Sequence, residues 1–224
     1  MWARYARAAT GRTPTLHLVS VSDAELAADM SAQEHEVVLV RHGETEWSRL
    51  GRHTGRTDVP LTERGRQDAR LVGERLRGRQ FALVLTSPLE RAAETCRLAG
   101  LGTHAVVRDE LREWDYGRYE GVRTDEIRAE RPGWFLWDDG VPGGETADEV
   151  GRRVDRVLDL IGAVHGDAVV FAHSHVLRVL AARWLGLPAG AGRHFALDTG
   201  TISVLGYERE TPVLRLWNER VAVS

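Results

Sequence analysis

The sequence predicts an α/β protein, a three-layer α/β/α sandwich built around a mostly parallel central sheet. Short apolar, β-prone runs alternate with amphipathic helical stretches, the pattern of successive βα units. Three of those runs end in polar residues with chemical potential, at Arg41-His42, Thr86-Ser87 and His173. In an open α/β sheet the carboxyl ends of the strands share one edge, and ligands bind there. A chain of 224 residues fits one such domain.

Taken in order, residues 37–40 (Val-Val-Leu-Val) form the first strand and deliver Arg41 and His42 to its end. Residues 61–78 read as an amphipathic helix. Thr62 is its N-cap, acids come early and arginines late, and Ala69, Leu71, Val72 and Leu76 line one face. Residues 81–86 are a second strand. Ser87-Pro88 opens the next helix with proline in its first turn, and that helix runs to about Gly100. Ala105–Val107 is a short strand. Residues 150–164 form a helix through Val150, Val154, Val157, Leu158 and Ile161. Residues 168–172 form a strand, followed by a helix through Val176, Leu177, Leu180 and Leu185. Residues 201–207 and 213–217 read as a closing hairpin. The stretch 117–146 is less regular and rich in Gly, Pro and Trp, and it reads as a lid-like insertion over one face. The domain therefore spans 34–224. Residues 1–33 read as a disordered extension or the product of an upstream start, because Met30 lies just before the first strand.

Bulk composition narrows the function. A net charge of −3 produces no field that favours nucleic acid or an anionic membrane, so any anion site must be local. No apolar run reaches the length of a membrane span. The single cysteine, Cys96, excludes an intrachain disulfide and a cysteine-based zinc cluster, and reads as a small core residue. A cytoplasmic location is expected.

An imidazole beside a guanidinium at a strand end suggests a nucleophile aimed at a phosphate. Arg91 falls in the first turn of a helix, where free N–H groups and the helix dipole already favour anions. His173 ends another strand and is assigned to the same phosphate site. His175, two residues on, faces elsewhere if the backbone stays extended, toward the pocket rim. Phosphoester cleavage also needs a proton for the leaving oxygen. Glu113 and Asp115, in Leu111-Arg112-Glu113-Trp114-Asp115-Tyr116, both qualify, and aromatic neighbours are expected to raise the Glu113 pKa by desolvation.

Together these residues resemble the histidine phosphatase (phosphoglycerate mutase-like) superfamily. The resemblance rests on Arg41-His42-Gly43-Glu44-Thr45, on Thr54-Gly55-Arg56-Thr57-Asp58 followed by Leu61-Thr62-Glu63-Arg64-Gly65, on Ser87-Pro88-Leu89-Glu90-Arg91-Ala92, on the block from Leu111 to Gly121, and on Ala172-His173. It implies His42 as a nucleophile that forms a phosphohistidine. It implies Arg41, Arg91 and His173 as phosphoryl-binding groups, and Glu113 as the acid and then the base. Ser48, Thr54 and Gly55 align with pocket positions, and Ser174 stands where the family often has glycine. No metal and no cofactor are implied. The branch resembled is that of bacterial broad-specificity acid phosphatases, which implies a phosphomonoesterase for small phosphorylated metabolites such as sugar phosphates. The partner is then a small phosphate ester, neither nucleic acid nor membrane, and the resemblance allows a homodimer. Two alternatives stand beside this: a cofactor-dependent mutase, which needs a bisphosphate primer, and a phospholigand-binding protein without turnover.

Overall fold

The computed structural model describes residues 35–221, so the expected 1–33 extension lies outside the described residues. One sheet of six strands organises the rest. In chain order the strands are β1 (Val37–Arg41), β2 (Leu83–Thr86), β3 (Ala105–Val107), β4 (Ala168–Ala172), β5 (Thr201–Glu208) and β6 (Thr211–Arg220), and they lie side by side as β3-β2-β4-β1-β5-β6. The first four strands in that order are mutually parallel, β5 adds antiparallel to β1, and β6 adds antiparallel to β5. The sheet is thus mixed but mostly parallel.

Register decides what the sheet presents. Arg41 pairs with Ala172, and Thr86 pairs with Phe171. The strands therefore end level, and His42, Ser87 and His173 leave the sheet at one edge. The His42 N–H donates to the Ala172 carbonyl (3.0 Å) and the Ser87 N–H to the Phe171 carbonyl (2.9 Å), which extends the ladder one step into the site.

Side chains alternate across β1. Val37 and Leu39 pack into one apolar cluster, and Val38 and Val40 into the other. The first cluster contains α6 (Ala147–Gly162) and α7 (Ser174–Trp184), and the second contains α2 (Glu63–Leu76) and α3 (Glu90–Leu98). Helices on both faces produce the three layers. The short helix α1 (Glu46–Arg49) precedes α2, and the short helices α4 (Thr124–Glu130) and α5 (Leu136–Asp139) lie between α3 and α6 in sequence. No described helix is long and apolar enough to cross a membrane.

Two expectations change in detail. The helix after β2 begins at Glu90, not at Ser87-Pro88. Its N-cap, Leu89, has no capping side chain, and the first N–H is taken by Asp58 Oδ1 (2.8 Å) from a distant loop. Arg91 still falls in its first turn. The 117–146 stretch holds two helices and is anchored rather than loose. Trp134 and Trp137 are core residues, Arg178 stacks on Trp137 at 4.8 Å, and Arg193 lies over Phe135 at 5.2 Å while pairing with Asp138.

Candidate active site

A cavity of about 200 Å³ opens at the carboxyl edge of the sheet, lined by Arg41, His42, Ser48, Gly51, Arg52, His53, Thr54, Glu113, Tyr116, Ser174 and His175. His42 is 5% exposed. Its Nδ1 lies 2.7 Å from the Gly43 carbonyl, which can only accept, so Nδ1 carries the proton and Nε2 keeps a free lone pair. Burial, and then the charges of Arg91 and Arg41, hold the imidazole pKa well below its ordinary value. That direction favours the neutral imidazole.

The turn after His42 is made by close backbone contact. A Cβ on Gly43 would sit 2.2 Å from the Gly65 carbonyl oxygen, and a Cβ on Gly65 would sit 2.2 Å from that of Glu44. Two glycines let β1 and the first turn of α2 meet. The Gly43 N–H donates to Thr95 on α3 (3.1 Å), which ties the turn to the helix that carries Arg91.

The cationic groups divide the work. One Arg41 N–H donates to the Leu197 carbonyl, and its buried Nε has no hydrogen-bond partner among the described residues. A buried charged donor without an acceptor is costly. Arg91 is fully buried. It donates to His173 Nδ1 (3.1 Å) and to the carbonyls of Thr57 (2.9 Å), Thr54 (3.1 Å) and Gly55 (2.9 Å). Because Arg91 Nε–H can only donate, His173 Nδ1 accepts, and the proton of the neutral ring sits on Nε2, 2.8 Å from Ser87 Oγ. The His42 and His173 rings lie 5.1 Å apart. Arg91, His173 and Gly55 thus form the layer behind the cavity wall, holding the Thr54–Gly55 loop and projecting charge onto His42.

Glu113 sits at the start of α7. Its Oε1 accepts the N–H groups of Trp114 (2.9 Å) and Val176 (3.0 Å), and its Oε2 accepts that of His175 (3.0 Å). Burial pushes the carboxyl up. Against it act the His175 hydrogen bond and the Trp114 N–H, and the carboxyl lies well below the usual carboxylate range. The desolvation expected from its neighbours is real, but the hydrogen bonds the carboxylate accepts outweigh it. Asp115 instead pairs with Arg56 at 2.7 Å.

His175 reaches the cavity by another route than the extended-chain rule assumes. The chain becomes helical at Ser174, so extended alternation does not apply, and His175 lies inside the site with Nδ1 2.6 Å from the Tyr116 hydroxyl. Tyr116 and His53, whose rings are 4.7 Å apart, complete the aromatic wall, and Arg52 lines the same cavity. Sequence reading missed all three. Ser48 lines the cavity while its hydroxyl accepts the Thr45 N–H (2.9 Å) in a capping box. Ser174 and Thr54 also line it. Trp114 is fully buried and Trp134 nearly so, both as core anchors. Arg112 and Arg123 pair locally with Asp109 and Asp125. Cys96 is buried, which pushes its thiol up to about 12 and leaves it inert.

Comparison with known proteins agrees with this architecture. The chain is 41% identical over 194 residues to an acid phosphatase of Mycobacterium tuberculosis, covering 84% of this chain and 95% of that one. It is 39% identical over 183 residues to sedoheptulose 1,7-bisphosphatase of Saccharomyces cerevisiae, covering 67% of each. A solved open-reading-frame product of Mycobacterium tuberculosis superposes with a TM-score of 0.80 at 38% identity, covering 84% of this chain and 99% of that one. Residues 37–220 match the family model described as histidine phosphatase superfamily, branch 1. With that match and these relatives, the chain belongs to the histidine phosphatase superfamily.

Proposed function

We propose that this protein is a phosphomonoesterase that moves the phosphoryl group of a small phosphorylated metabolite first to His42 Nε2 and then to water. The observation that carries this reading is the state of His42. Its Nδ1 is committed to the Gly43 carbonyl, its pKa is held toward the neutral form, and its Nε2 lone pair shares the cavity with Arg41. Attack by Nε2 on phosphorus puts charge on the phosphoryl oxygens, which Arg41 and the field of Arg91 stabilise without reorganisation. Glu113 supplies the proton to the leaving oxygen and afterwards takes one from water. The acid phosphatase and bisphosphatase relatives support hydrolysis and favour compact substrates of the sugar-phosphate kind. The anchoring of the 117–146 stretch by Arg178 and Arg193 supports a site open to water over a mutase that must exclude it.

The test is phosphate release from p-nitrophenyl phosphate and a panel of sugar phosphates, with EDTA present, for wild type and His42→Ala. Release that persists in EDTA and disappears in the variant is expected. Release that requires a bisphosphate primer reassigns the protein as a mutase, and tight phosphate binding without turnover reassigns it as a binding protein.

A further inference from the structure

The general acid raises a question about its proton. In the free site both carboxyl oxygens of Glu113 already accept backbone N–H groups: Trp114 and Val176 on Oε1, and His175 on Oε2. Backbone N–H groups only donate, so this cradle selects the carboxylate, and two of the three donors belong to the first turn of α7. The other groups facing it do not reverse the preference. Arg41, Arg91 and Arg178 are cationic neighbours. His42, His173, His175 and His53 are held toward their neutral forms, and Tyr116 toward its phenol. None of these neighbours places a negative charge against Glu113. The resting site therefore holds Glu113 as an anion with no proton to give, although the chemistry requires one.

We propose that the proton arrives with the substrate: the enzyme selects the phosphomonoester as its monoanion, and the phosphate O–H proton passes to Glu113. This deepens the phosphomonoesterase reading and rests on it. The step balances. The phosphate O–H proton moves to Glu113, His42 Nε2 forms the N–P bond, and the P–O bond to the alcohol breaks. The departing oxygen takes the proton from Glu113, which returns to its carboxylate. In the second half Glu113 accepts a proton from water, the water oxygen bonds to phosphorus, and the N–P bond breaks back onto Nε2. Glu113 then returns its proton, so phosphate leaves as the monoanion and the resting site is restored.

The assignment is read from kcat/KM against pH, which reports the ionisations of free enzyme and free substrate. A phosphomonoester loses its second proton at about pH 6, and an electron-withdrawing leaving group lowers that value. Profiles measured on the wild-type enzyme with p-nitrophenyl phosphate and with glycerol 3-phosphate are expected to fall on the alkaline side at different pH. The separation should equal the difference between the two esters' second ionisations. Coincident alkaline limbs would assign the proton to a protein group and overturn the proposal. Absence of turnover with both esters would instead remove the phosphomonoesterase reading beneath it.

Discussion

At Gly43 a single hydrogen in place of a methyl group decides how His42 is presented to the cavity. The atoms a Cβ would meet at 2.2 and 2.7 Å are the Gly65 carbonyl oxygen and carbon, which are backbone and cannot swing aside. Gly43→Ala must separate β1 from α2, and overpacking of this kind costs about 2 to 3 kcal/mol. Urea unfolding should show that loss. Phosphate release should fall with it, because His42 Nδ1 is held by the carbonyl of residue 43 itself. An alanine variant with native stability and native kcat/KM would mean that the close approach has no role. The same scale explains what could be read in advance. Arg41, His42 and His173 terminate apolar runs, and Arg91 begins a helical one, so local pattern located them. Tyr116 and His53 belong to no periodic segment. They meet because residues 52–53 bridge to 121–123, through the Arg52–Arg123 pairing and the exchange between His53 and the Val122 and Gly121 backbones. Nothing local announces a contact between segments about seventy residues apart.

Among the elements, β6 reaches the site without touching it. Its ladder with β5 is irregular between the Ile202 and Val204 pairings, and there Asn218 adopts a left-handed φ of 59°. Asparagine tolerates that region better than most side chains. Its N–H donates to Ser203 Oγ (3.0 Å), its Oδ1 accepts the Asp198 N–H (2.7 Å), and its Nδ2 donates to Asp198 Oδ2 (3.3 Å). Asp198 adjoins Leu197, whose carbonyl holds Arg41. The bulge therefore tethers the loop whose Leu197 carbonyl holds Arg41. Asn218→Ala loses both the tether and tolerance of the left-handed backbone, for about 2 kcal/mol in all. Asn218→Gly relieves the backbone and loses only the tether. Both variants should raise KM for p-nitrophenyl phosphate severalfold, while glycine recovers part of the stability. If glycine restores KM along with stability, Asn218 serves the hairpin alone. The hairpin was legible from β-prone runs, but the bulge was not, since it depends on a loop twenty residues away. The orientation of His175 rests on a related feature: the chain turns from strand to helix directly after His173, which a rule for extended chain cannot anticipate.

Across the whole molecule, the neutral histidines that equip the site make the fold sensitive to acid. Burial comes first among the causes that lower His42, His173, His175 and His53, the last of them to about 4. In the unfolded chain each binds a proton below about pH 6.5. Below that pH the unfolded state therefore holds more protons than the native state, and linkage makes stability fall as pH falls. Each such histidine contributes up to about 1.4 kcal/mol per pH unit in that window. The depressed Glu113 adds a further loss below its unfolded value near 4.3. Urea unfolding free energies should accordingly decline from pH 7 to pH 5, and His53→Gln should make the decline shallower. A stability that stays level over that range would show that the native histidines titrate as freely as unfolded ones. The two pH dependences then oppose each other. Acid raises the fraction of substrate in the monoanionic form, and the same acid withdraws stability from the scaffold that keeps His42 neutral. The activity maximum should therefore lie near the second ionisation of the substrate. Its alkaline side should move with the ester, and its acid side should follow the unfolding curve of the protein.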